Sequence, residues 1–181
     1  PKPEEGECPH CRWPGDVLRW SPHVLPPGTL LAGRYRTGRV LGQGGFALTY
    51  LALDQSLEIR LCVKEYFPAN LALRSAEDGS VLLKDPDEVE AFNEGKTRFL
   101  HEARILARFE GHPGIVPVRD VFEERGTVYI VTGYLEGMTL KQFLTERGGS
   151  IPPEKALPIF MPVMDSLRAV HEAGVVHRDV S

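Results

Sequence analysis

Leu41-Gly42-Gln43-Gly44-Gly45-Phe46-Ala47-Leu48-Thr49-Tyr50 is a glycine cluster set between two β-rich runs, and a third run follows, ending in Leu61-Cys62-Val63-Lys64. Apolar and β-branched residues concentrate in 35–41, 47–53 and 59–64, with the glycines and Asp54-Gln55-Ser56 as the breaks. Short β-forming runs separated by turn residues predict a three-stranded antiparallel meander. Gly42 and Gly44 have no side chain to hold the first turn away from a bound group, and they give its backbone access to unusual dihedrals.

Beyond Lys64, Leu71 to Arg74 and Val81 to Lys84 suggest an extra hairpin around Glu77-Asp78-Gly79, ended by Asp85-Pro86-Asp87. The period then changes. Phe92, Phe99, Ala103 and Leu106 recur at helical spacing while Lys96, Arg98, Arg104 and Arg108 are placed to face water, which predicts a helix over 90–109. Gly111-His112-Pro113-Gly114 stops it, and two β runs follow at 116–122 and 128–132. A short helix over 139–146 ends at Gly148-Gly149. A longer one over 153–173 has Pro153 in its first turn, Gly174 beyond its end, and Pro158 and Pro162 inside, where each removes a donor. Five strands around one helix, followed by further helices, describe an α+β assembly of two lobes.

The 181 residues are 42% hydrophobic, enough for a core, and the net charge of −4 offers no basic field for nucleic acid. No run approaches the length of a membrane-spanning helix and no secretory leader is visible. Cys8, Cys11 and Cys62 are too few and too uneven for a disulfide framework, so a reducing, cytoplasmic setting is expected. Residues 1–29 read as a cysteine-bearing appendage and a stiff linker rich in proline (Pro22, Pro26-Pro27-Gly28). Cys8 and Cys11 look like one knuckle of a zinc ribbon. They supply two thiolates where a closed site needs four ligands, with His23 as a candidate third ligand or a second knuckle upstream.

Taken in order, these pieces resemble a eukaryotic-like serine/threonine protein kinase of bacterial type over residues 30–181: a glycine-rich loop, Leu61-Cys62-Val63-Lys64 like the third-strand lysine motif, Glu102 in the following helix, an interlobe hinge near 131–137, and His177-Arg178-Asp179 like the catalytic loop. Lys64-Glu65-Tyr66-Phe67-Pro68 and Leu25-Pro26-Pro27-Gly28-Thr29 look like one bacterial branch. The resemblance implies a five-stranded N-lobe over 30–132, a hinge at 133–137 and the start of a C-lobe at 138–181.

It also implies ATP and Mg2+ as cofactors and a protein substrate as partner. Leu41, Gly42, Gln43, Gly44, Gly45, Phe46, Thr49, Cys62, Lys64, Thr132, Gly133, Tyr134 and Leu135 would bind ATP, with Val40 as the alternative to Leu41 and Leu53 or Ala52 as a further wall. Lys64 would hold the α and β phosphates, Glu102 would hold Lys64, Asp179 would orient the substrate hydroxyl and accept its proton, and His177 and Arg178 would support that loop. Thr132, small at the rear of the pocket, would admit bulky inhibitors. Ala47, Thr49 and Gly133 depart from the usual pattern, which leaves a nucleotide-binding pseudokinase or regulatory module as the alternative function. Only Val180 and Ser181 follow Asp179, so most metal ligands are expected past residue 181. Residues 1–181 alone are expected not to turn over, and the 153–173 helix needs a missing lobe or a partner to cover it.

Overall fold

Alternation along a strand sends successive side chains to opposite faces, so one sheet can carry a core on one side and a reactive surface on the other. The computed structural model describes residues 22–176. Its strands are β1 (Leu30–Leu31), β2 (Tyr35–Gln43), β3 (Ala47–Asp54), β4 (Ile59–Tyr66), β5 (Ala72–Arg74), β6 (Val81–Leu83), β7 (Val118–Glu124) and β8 (Thr127–Gly133). Six of them form one antiparallel sheet in the order β1-β2-β3-β4-β8-β7, and β5 and β6 form the separate hairpin. The helices are α1 (Val89–Ala107), α2 (Leu140–Glu146) and α3 (Pro153–Glu172). The architecture is the expected α+β one, with the two-residue β1 added at the sheet edge.

The chain divides into two units, one of residues 22–108 and 117–134 and one of 109–116 and 135–176. In the first, cross-strand register defines the faces. Leu48 pairs with Glu65, Tyr50 with Val63 and Ala52 with Leu61, and Glu65 and Val63 continue to Tyr129 and Val131. All of these are buried. The other face carries Thr49 opposite Lys64, Leu51 opposite Cys62, and Cys62 opposite Thr132.

The buried face is where the stiff linker expected through residue 29 differs from the structure. Leu25 is fully buried and its N–H donates to Tyr50 Oη at 3.2 Å. The prolines fold the segment back instead of extending it. Pro26 O accepts the hydroxyls of Thr29 and Thr37 at 2.6 and 3.0 Å, and Gly28, at φ +87°, donates to Thr37 O. This strap and the β5–β6 hairpin meet on Glu65, whose carboxylate accepts from Tyr50 Oη and Tyr129 Oη at 2.8 Å each and from Arg74 at 2.6 Å. Arg74 then reaches His23 O and Gly79 O at 2.7 and 2.8 Å. Burial, followed by the neighbouring Glu65 charge, pushes the phenol pKa values of Tyr50 and Tyr129 far up, so both remain donors.

On the opposite face α1 lays Phe92 and Phe99 against Tyr66, with ring centroids at 5.2 and 5.6 Å. A 3-10 turn over Pro86–Glu88, capped by Asp85, leads into it. The second unit contains α2, entered through a capping box of Thr139 and Gln142, and α3, which runs unbroken through Pro158 and Pro162. Ser166 Oγ donates to Pro162 O at 2.8 Å.

Two outcomes follow for stability. Glu65 is 0% and Arg74 4% exposed in this pair, so Arg74→Met strands a buried carboxylate and should cost about 3–5 kcal/mol in urea unfolding. The double variant Glu65→Leu/Arg74→Met should cost less than Arg74→Met alone. At the end of β3, the Asp54 carboxylate takes Arg34 and the N–H groups of Ser56 and Leu57, and the Arg34 bond leads in holding its pKa below the ordinary 3.8. A depressed native pKa adds stability that is complete above the unfolded value and drains away as pH falls through the native one. Asp54→Asn should therefore lower the unfolding midpoint at pH 7 and flatten its decline in acid.

Candidate functional site

β4 puts Lys64 on the sheet face away from the strap, and α1 brings Glu102 to it. Nζ lies 3.0 Å from Glu102 Oε1 and 5.3 Å above the Phe99 ring. Glu102 adjoins the buried Ala103, so the helix face that packs on the sheet also aims this carboxylate. The side chains are 37% and 52% exposed. An ion pair that open to water adds little to stability, and its ammonium remains accessible to an anionic group from outside the chain.

The β2–β3 turn is closed by Gly44 N–H on Ala47 O at 2.9 Å and anchored to the end of β4 by Phe67 N–H on Phe46 O at 2.8 Å. Phe46 itself is 69% exposed and covers none of the core. None of Gly42, Gly44 and Gly45 has a positive φ, so the unusual dihedrals that glycine allows are not used here. A Cβ on Gly42 or Gly45 would meet nothing within 4 Å, and one on Gly44 only Ala47 O at 3.8 Å. The protein's own packing does not require glycine at these positions. A bare backbone with open space in front of it, on a sheet that also presents a lysine, suits a phosphate-bearing ligand. Ala47, in place of the third glycine, is an ordinary strand residue paired with Tyr66.

Register also bears on the alternatives left by the sequence. Val40 pairs with Tyr50 and packs on the core, and Leu41 lies within the register shift between Val40 and Gly42. Ala52 belongs to the core face, whereas Leu53 alternates with it onto the face of Lys64. Leu51, not singled out in the sequence, is buried opposite Cys62 on that face. Its signal was the period of two that places 49, 51 and 53 together. Burial raises the Cys62 thiol pKa and keeps it protonated. Gln43 is exposed at the end of β2.

Gly133 ends β8 with its N–H given to Pro117 O at 3.3 Å, Tyr134 closes the first unit, and the exposed Leu135 opens the second. Asp179, His177, Arg178, Cys8 and Cys11 lie outside the described residues. Among the described residues no group of three or more His, Cys, Asp or Glu side chains could hold a metal ion.

The protein kinase domain family matches residues 35–181. Serine/threonine-protein kinase PrkC of Bacillus subtilis (strain 168) is 35% identical over 153 residues, which are 84% of this chain and 20% of that protein. Serine/threonine-protein kinase pkn2 of Myxococcus xanthus is 32% identical over 157 residues, covering 87% of this chain and 16% of that one. Among solved structures, the apo form of PpkA-294 superposes with a TM-score of 0.80 at 34% identity, over 88% of this chain and 56% of that one. The PknI kinase domain of Mycobacterium tuberculosis gives a TM-score of 0.63 at 27% identity, over 87% and 55%. The chain thus spans a small part of these curated relatives and just over half of these two solved chains. The match takes in the glycine turn, Lys64 and Glu102 together, and the chain belongs to the protein kinase family, in the company of the bacterial serine/threonine kinases.

Proposed function

We propose that the full-length protein transfers a phosphoryl group from ATP to serine or threonine hydroxyls of protein substrates. The observation that carries this reading is the 3.0 Å Lys64–Glu102 pair on the sheet face that continues into the glycine turn. ATP supplies the phosphoryl group, and magnesium ions neutralise its charge when bound.

The chain's own work is positioning. Lys64 holds the α and β phosphates, and Glu102 fixes the ammonium so that it arrives at one place. The open backbone of the Gly42–Gly45 turn, whose Gly44 N–H is already given to Ala47 O, closes over the phosphates, and Phe46 shields them from water. Leu41, Thr49, Cys62 and Thr132 line the base and ribose. Because the Gly133 N–H is consumed by Pro117, a hinge donor to adenine comes from Tyr134 or Leu135. Asp179 orients the acceptor hydroxyl and takes its proton, supported by His177 and Arg178.

The proposed lobes are 30–132 and 138–181 about the 133–137 hinge, and the proposed setting is the cytoplasm. No helix among the described residues is long and apolar enough to cross a membrane. Leu157, Phe160, Met161 and Met164 on α3 are 43–58% exposed, a surface suited to cover by the rest of a C-lobe or by a partner.

Replacing Lys64 by Met should reduce phosphate transfer on the order of 100- to 1,000-fold while leaving the unfolding midpoint nearly unchanged, because the ion pair is exposed. Undiminished transfer of labelled phosphate by this variant would sink the reading, and nucleotide binding without transfer in the unaltered protein would favour a regulatory module. Bulky hydrophobic inhibitors that compete with ATP should bind, and Thr132→Met should weaken them roughly 10-fold or more. Equal inhibition of both forms would refute the open rear pocket.

A further inference from the structure

Gly95 sits in the middle of α1, where glycine costs about 1 kcal/mol relative to alanine. Its reason is visible across the interface. A Cβ at this position would fall inside the van der Waals envelope of Tyr66 Oη, with Tyr66 Cζ at 2.8 Å and Cε2 at 3.3 Å. Tyr66 is hemmed in. It is 4% exposed, and its ring is flanked by Phe92 and Phe99 from α1 itself.

Gly95 precedes Glu102 by about two helical turns, so the two residues share one face of α1. Tyr66 and Lys64 are alternate residues of β4 and share one face of the sheet. The Gly95–Tyr66 contact and the Lys64–Glu102 ion pair therefore join the same two elements at two points.

We propose that Gly95 and Tyr66 are positioning residues that set the distance between α1 and the sheet, and through it the reach of Glu102 to Lys64. This rests on the kinase reading for its consequence in catalysis, but the contact stands on geometry alone. A side chain at Gly95 must displace the Tyr66 ring or the helix, and with the ring held between Phe92 and Phe99 the helix lifts on the order of 1 Å to restore ordinary contact. That displacement lengthens an ion pair already at hydrogen-bond length and shifts it toward open geometries.

The test separates the geometry from the chemistry. Zero-length carbodiimide coupling joins a lysine to a carboxylate only where they touch, so in the full-length protein it should yield a Lys64–Glu102 adduct detectable by mass spectrometry. Gly95→Ala should lower the adduct yield several-fold although alanine favours the helix. Gly95→Ala/Tyr66→Leu, which removes the obstructing ring end, should restore it, and Gly95→Ala/Tyr66→Phe should restore it in part. An undiminished adduct in Gly95→Ala, or no rescue by Tyr66→Leu in a protein that retains cooperative unfolding, overturns the proposal. Phosphate transfer is read on the same variants: Gly95→Ala should lose on the order of 10- to 100-fold in kcat/KM for ATP, with rescue in the same order. If the adduct follows the predicted series and transfer does not, the positioning contact holds and the assigned role of the ion pair fails.

Discussion

A carboxylate with no access to water has to be bonded on nearly every lone pair, and Glu65 imposes that condition on the first unit. Its donors come from β3, from β8 and from the hairpin strand β5, so three separate stretches of chain must arrive together. Arg74 extends the demand to the strap and to the turn of its own hairpin. Alternation along β4 then does the rest. With Glu65 drawn into the core, Lys64 is turned to the open face, and the buried and the solvated charges are consecutive residues of one strand.

That open face is organised differently. Its ion pair is solvated and weak, so its geometry has to be imposed by packing. The packing is aromatic, Tyr66 against Phe92 and Phe99, with a glycine letting the helix approach closely. Apolar contact holds the helix and the charges follow it. A switch acting on this protein would find the helix, rather than the ion pair itself, the more effective point of application.

Much of this was legible in the sequence because it is periodic. The meander and the Phe92/Phe99/Ala103 stripe announce themselves by spacing, whereas Lys64 and Glu102 stand out only through the resemblance of the ordered pieces to a kinase. The β5–β6 hairpin was readable from Glu77-Asp78-Gly79. What was not legible was non-local. Nothing in Leu25-Pro26-Pro27-Gly28 reveals that Leu25 packs under Tyr50, since proline-rich composition signals stiffness and not direction. Glu65 left a faint trace: the period of two groups it with Leu61 and Val63, a buried acid in need of a partner. That partner, Arg74, sits beyond a turn whose path the sequence does not fix. Gly95 left another, as a helix breaker inside a strong helical pattern, but only the ring of Tyr66 explains it.

The strap also bears on where this domain begins. The family match starts at Tyr35, whereas the hydrogen bonds that satisfy Arg74 and Tyr50 start at the His23 carbonyl and the Leu25 amide. Motif boundaries mark what relatives share; folding boundaries mark what the buried polar atoms need. A polypeptide trimmed to its first matched residue would keep every motif residue and yet leave one side of its sheet uncovered. In this protein the dozen residues ahead of the matched region are as much a part of the first unit as the strand that carries Lys64.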